Sequence, residues 1–140
     1  MKLADKKLAQ EYASRLRERI GDNLIELAES ANGFRLVDPQ PYRRNMSLLS
    51  DAKLVLTDSG GIQEETAILD VPCLTMRFNT ERPITVSKGT SRLVGNDVSK
   101  IRAGFREIME GAWPRAQKID LWDGHAGERI VAEIEKYLHA

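Results

Sequence analysis

The sequence predicts an α/β domain built on a mainly parallel sheet. Short apolar runs alternate with helical patterns in the order β-α-β-β-α, and a glycine turn, Ser59-Gly60-Gly61, stands between one such run and the helix that follows it. Size agrees: 140 residues are enough for one core, and a 41% hydrophobic, 30% charged composition is that of an ordinary globular domain. One domain is expected, with residues 1–33 as a charged helical lead-in.

Leu3, Ala4, Leu8, Tyr12, Ala13, Leu16 and Ile20 recur every three to four positions among charged residues, the stripe of an amphipathic helix that Gly21 stops. Leu24 to Ala31 forms a second short helical pattern ending at Asn32-Gly33. Phe34-Arg35-Leu36-Val37 reads as a strand broken by Asp38-Pro39, and Tyr42 to Ser50 as a helix. Lys53-Leu54-Val55-Leu56-Thr57 is a buried-strand pattern, Asp58-Ser59-Gly60-Gly61 a turn, and Ile62 to Leu69 a helix closed by Asp70-Val71-Pro72. Cys73 to Met76 starts another strand, Thr80 to Pro83 is a loop, and Gly89 and Gly95 bracket a further strand. Asn96 or Asp97 can cap a helix running to Met109. The segment from Trp113 to Gly124 is irregular, and Ile130, Val131, Ile134, Tyr137 and Leu138 give a closing helix over Ala126 to Leu138.

Charge and composition narrow the function. Lys plus Arg and Asp plus Glu both number 21, so there is no basic excess to attract nucleic acid or anionic lipid, and neither is an expected partner. No run approaches the roughly 18 to 20 apolar residues of a membrane span. Met1 to Gln10 lacks the pattern of a secretory signal, and a single Cys73 cannot form an internal disulfide, so a cytoplasmic protein is expected. Cys73, His125 and His139 are scattered, so neither a metal nor a cofactor is expected. His125 reads as a helix-cap or solvent-facing residue, and Asp58 as a group that orients the turn backbone.

The turn carries the chemistry. A glycine pair between a parallel strand and a helix exposes backbone N–H groups at the positive end of the helix dipole, where anions bind without lysine. Ser59 adds a hydroxyl donor, and a carboxylate one turn later can accept from vicinal ribose hydroxyls, an arrangement suited to a nucleotide. From spacing alone a second reading stands open, in which Ser59 or a glycine caps the helix and Glu64 and Glu65 complement its dipole. Neither the three-glycine dinucleotide fingerprint nor a Walker loop is present.

Val55 to Glu65, then Pro72, Met76-Arg77 and Thr80-Glu81-Arg82-Pro83, resemble the non-hydrolysing UDP-N-acetylglucosamine 2-epimerases in order and spacing. Asp38-Pro39 with Tyr42, Gly89-Thr90 with Leu93-Val94-Gly95, and Asp123-Gly124 with Ala126, Arg129 and Ile130 extend the likeness over Phe34 to Leu138. The resemblance makes residues 34–140 an epimerase-like core, a Rossmann-like three-layer domain equivalent to the C-terminal half of a glycosyltransferase-B fold.

It also implies a function. The family interconverts UDP-N-acetylglucosamine and UDP-N-acetylmannosamine by eliminating UDP to a glycal and re-adding it, and this chain would be the UDP-sugar-binding half, inactive alone and an isomerase when joined to its N-terminal half in cis or in trans. Carried over by position, Ser59 and Gly60 bind the diphosphate, Gly61 gives backbone room, Glu65 holds the ribose, and Arg82 meets the phosphates and the leaving-group charge. A family homodimer is a further implied partner. The donor half of a glycosyltransferase and a stand-alone UDP-sugar-binding module are the alternatives. The chain departs from the family pattern at Asn45, where an aromatic is usual, at Ile84, where Glu is usual, and around Trp122, where only Asp123-Gly124 of a longer motif is kept.

Overall fold

The computed structural model describes Gly33 and residues 37–139. The two helical patterns before Gly33 and the strand expected from Phe34 lie outside the described residues, apart from Val37, which stands in no strand. The chain divides into two compact units, Met1–Asn45 and Met46–Ala140. Helix α1 (Tyr42–Ser50) occupies the expected span, its first turn closed by Arg44 and Asn45 N–H donating to the Pro41 carbonyl.

The second unit carries the sheet. Strands β1 (Val55–Thr57), β2 (Cys73–Thr75) and β3 (Ser91–Leu93) lie side by side in that order, all parallel, with Val55 opposite Cys73 and Cys73 opposite Ser91. Helix α2 (Gly60–Leu69) crosses from β1 to β2 and packs against β2 and β3. The sequence pattern joins β2 directly to β3. Parallel strands need a crossover, and the short helix α3 (Pro83–Ser87) supplies part of it, with Pro83 in the first turn, where a missing N–H leaves no bond unmade.

Helix α4 (Val98–Met109) follows, capped by Asp97, whose carboxylate accepts from Ser99 N at 2.8 Å and Lys100 N at 3.2 Å. Gly104 lets this helix approach the sheet: a β-carbon there would stand 2.6 Å from Leu74 Cδ2. Leu74, Val94 and Trp113 form the core cluster, with Ile101 and Ile108 of α4 against it. Every residue of β2 is buried, as expected of the central strand of a parallel sheet.

Polar contacts anchor the irregular segment after α4. Trp113 Nε1 donates to the Thr90 carbonyl at 3.0 Å, Ala116 N to Asp70 Oδ1 at 2.7 Å, and Gln117 N to the Lys88 carbonyl at 2.7 Å. Arg92 stacks on Trp113, 4.0 Å from its centroid, and pairs with Glu107 at 2.8 Å. Helix α5 (Ala126–Leu138) has the expected bounds, yet Ile130, Val131, Ile134, Tyr137 and Leu138 are exposed, so its apolar stripe adds nothing to the core.

Candidate functional site

In a parallel sheet, ligands bind beyond the carboxyl ends of the strands. Here that edge is formed by the turn after β1, the Met76–Arg82 loop after β2 and Val94-Gly95 after β3. The three are tied by backbone bonds: Met76 N donates to the Thr57 carbonyl at 2.7 Å, Val94 N to Thr75 at 2.9 Å, and Gly95 N to Arg77 at 3.2 Å.

The glycine turn is shorter than the sequence suggests, because Gly60 and Gly61 already belong to the first turn of α2 and Ser59 is its N-cap. Ser59 Oγ accepts from Ile62 N, though at a long 3.5 Å. The first N–H groups of a helix have no acceptor inside it, so those of Gly60 and Gly61 are the orphan donors at this tip. The turn backbone is oriented by Thr57, whose Oγ1 accepts from Ser59 N at 3.1 Å; the Asp58 side chain, expected to do this, is exposed. The strand expected to be buried is so only at its end, since Leu56 is exposed and Thr57 buried, and the Thr57 hydroxyl reaches the amide two residues on without taking a charge out of water.

Nothing in the fold itself requires glycine at these two positions. Neither has a positive φ, and an added β-carbon would come no closer than 3.7 Å to a neighbour at Gly60 and 4.0 Å at Gly61. Gly89 and Gly104, by contrast, would bring theirs to 2.5 Å and 2.6 Å. The missing β-carbons at the turn leave space outside the helix tip.

Helix geometry distributes the next side chains. Gly61 and Glu65 lie four residues apart and share one face, as do Gly60 and Glu64, and Ser59 and Gln63. Glu65 is half-buried below Gly61. Glu64 faces Arg82, with Arg82 Nε 2.8 Å from Glu64 Oε1. That nitrogen is buried and off the axis of a good hydrogen bond, so the contact is an ion pair whose donor is imperfectly used.

The simplest sequence pairing, Arg82 with Glu81, is not the one formed. Glu81 takes both guanidinium nitrogens of Arg77, at 3.0 and 2.8 Å, and that bond holds its carboxyl below the usual carboxylate range. Its Oε2 lies near Gly60, placing a negative charge beside the helix tip. The structure thus brings Arg82 to the first turns of α2 together with Ser59, Gly60, Gly61 and Glu65.

Sequence reasoning missed the group beneath them. Gln63, fully buried, bonds to the Ser59 carbonyl and to Thr80 across the loop, with Thr85 Oγ1 3.3 Å from its Oε1. A glutamine four residues after a cap serine, with two threonines flanking the Arg-Pro pair, was the available signal.

Near the C-terminus, Arg129 clasps Asp123 through two bonds of 2.9 and 2.8 Å and reaches the Leu121 carbonyl at 2.9 Å. That guanidinium, helped by the His125 backbone N–H, holds the Asp123 carboxyl down at about 2. His125 is the N-cap of α5, as expected, with Nδ1 3.1 Å from Glu128.

Comparison with known proteins completes the picture. The family model for UDP-N-acetylglucosamine 2-epimerase matches residues 4–135. A UDP-N-acetylglucosamine 2-epimerase of Escherichia coli K12 is 54% identical over 129 residues, covering 89% of this chain and 34% of its own length. One from Methanocaldococcus jannaschii is 39% identical over 132 residues, covering 94% of this chain and 36% of its own. The crystal structure of a Methanocaldococcus jannaschii UDP-GlcNAc 2-epimerase in complex with UDP-GlcNAc and UDP superposes with a TM-score of 0.70 at 36% identity, over 89% of this chain and 33% of that one. The chain spans about a third of the length of the relatives it matches. It belongs to the UDP-N-acetylglucosamine 2-epimerase family.

Proposed function

We propose that this chain is the UDP-sugar-binding part of a UDP-N-acetylglucosamine 2-epimerase, with the nucleotide seated at the N-terminal tip of α2. The observation that carries the reading is the meeting of that tip with Arg82 beyond the carboxyl edge of the parallel sheet. Ser59 Oγ and the Gly60 and Gly61 N–H groups donate to the diphosphate, and Glu65, one turn further along the same face as Gly61, accepts from the ribose hydroxyls.

Arg82 faces the phosphates as they leave. In the elimination that the family resemblance implies, the bond from the sugar to the diphosphate breaks and negative charge grows on the departing oxygens, which a guanidinium stabilises more than it stabilises the bound substrate. Glu64 holds Arg82 beside the site until a phosphate takes its place. The remaining length of the family, in cis or in trans, supplies the opposite wall of the cleft and the groups that move the C2 proton, so this chain alone binds UDP weakly and does not epimerise.

Calorimetric titration of UDP at matched salt tests the reading. Saturable binding to the wild type, weakened in both Ser59→Ala and Glu65→Ala, is expected; a wild type that takes up no UDP would overturn it.

A further inference from the structure

The buried amide of Gln63 links the two halves of this site, which are 17 to 22 residues apart in the chain. Its Nε2 donates to the Ser59 carbonyl at 3.4 Å, and its Oε1 accepts from Thr80 Oγ1 at 2.9 Å and lies 3.3 Å from Thr85 Oγ1. The partners fix the orientation of the amide: a carbonyl only accepts, so the nitrogen must face Ser59. Thr80 Oγ1 in turn accepts from Arg82 N at 3.0 Å, so its single proton is left for Gln63. Thr85 Oγ1 donates to the Arg82 carbonyl at 2.8 Å. Both backbone polar groups of Arg82 are therefore held by threonines that converge on one amide, whose other end holds the cap of α2.

An apolar side chain of similar length would fill this volume without needing partners. What the amide adds is a fixed geometry, because directional hydrogen bonds to a buried side chain hold their partners in one arrangement. The bonds run one way, from Arg82 N–H through the Thr80 hydroxyl to Gln63 Oε1, and from Gln63 Nε2 to Ser59. We infer that Gln63 is a positioning residue that sets Arg82 at its working distance from the Ser59–Gly61 tip, an inference that rests on the nucleotide reading of this site. It touches no ligand. It acts through Arg82, whose fork of donors meets a diphosphate well only if the backbone beneath it does not shift.

A double-mutant cycle on the intact chain isolates that action. UDP is titrated into wild type, Gln63→Met, Arg82→Ala and the double variant at matched salt. Gln63→Met is expected to weaken UDP binding about tenfold, and the double variant to bind no more weakly than Arg82→Ala alone. Wild-type affinity in Gln63→Met, or losses that multiply in the double variant, would overturn the inference, because a purely structural role does not vanish with Arg82. Thr80→Val, which keeps the volume and removes only the link, reproduces the loss if Gln63→Met folds poorly; unchanged affinity there also counts against it.

Hydrogen exchange provides the arm that needs no ligand. In Gln63→Met the Arg82 amide should exchange at least about tenfold faster, while the Leu74 amide in the core keeps its rate. Equal protection of Arg82 in both proteins refutes the positioning role. Failure of the wild type to bind UDP removes the nucleotide reading, and the exchange comparison still decides whether Gln63 holds Arg82 in place.

Discussion

Gly61→Ala separates a glycine kept for the fold from one kept for a ligand. The added methyl would have no neighbour nearer than Ser59 Oγ at 4.0 Å, and Gly61 does not have a positive φ, so the folded state takes the substitution without strain. Alanine also restricts the unfolded chain, a gain of about 0.5 kcal/mol at a compatible helical position. With an unfolding entropy of roughly 2 cal/mol/K per residue, the second unit, Met46–Ala140, should melt about 2 to 3 °C higher. In the proposed function the same methyl stands where the diphosphate approaches the Gly60 and Gly61 N–H groups. Moving the phosphate outward by about 1 Å loses aligned donors and weakens UDP binding at least about tenfold. Thermal unfolding by circular dichroism and calorimetric titration on one preparation read both effects. A drop of several degrees would show that the backbone itself needs glycine, and unchanged UDP affinity would show that the space at the tip is not used.

Other substitutions should behave differently. Gly104→Ala drives a β-carbon toward Leu74 Cδ2 and should destabilise by about 1 to 3 kcal/mol in urea unfolding, leaving UDP affinity unchanged in the folded fraction. Glu64→Gln removes the carboxylate that competes for Arg82, so UDP should bind about two- to fivefold more tightly at low salt, with the gain fading as salt is added; weaker binding would mean that the ion pair orients Arg82 rather than restrains it. The Asp123 carboxyl should titrate by NMR at about 2, and Arg129→Gln should return it toward its ordinary 3.8. Because its folded value is the lower one, the clasp with Arg129 contributes fully above 3.8 and is lost as pH falls toward about 2.

What could be read from the sequence was local. The cap of α4 is legible to within one residue, Asn96 or Asp97, and the Asp97 carboxylate takes the role by bonding to amides two and three residues ahead; the bounds of α1 and α5 follow from the spacing of their apolar residues. Helix α3 was not, since five residues, three of them the β-branched Ile84, Thr85 and Val86, carry no periodic signal; it forms because parallel β3 must be reached by a crossover. The site divides the same way. Ser59, Gly60 and Gly61 declare a helix tip from three adjacent residues. The pairing of Arg82 with Glu64 rather than Glu81 depends on Arg77 having taken Glu81, and the Gln63 network spans up to 22 residues. Sequence spacing can nominate such residues, but only the fold shows which of them pair.

The two tryptophans divide the protein optically. Trp113 is 9% exposed, bonded through its indole N–H and lying under the Arg92 guanidinium, whereas Trp122 is 37% exposed in the segment before α5. The first should emit toward the blue and be shielded from iodide, the second toward the red and be readily quenched. Trp122→Phe would leave Trp113 as the single tryptophan, reporting the melting of the sheet under selective tryptophan excitation, and Trp113→Phe would leave Trp122 to report on the C-terminal segment, so the two regions can be followed separately without attaching a dye.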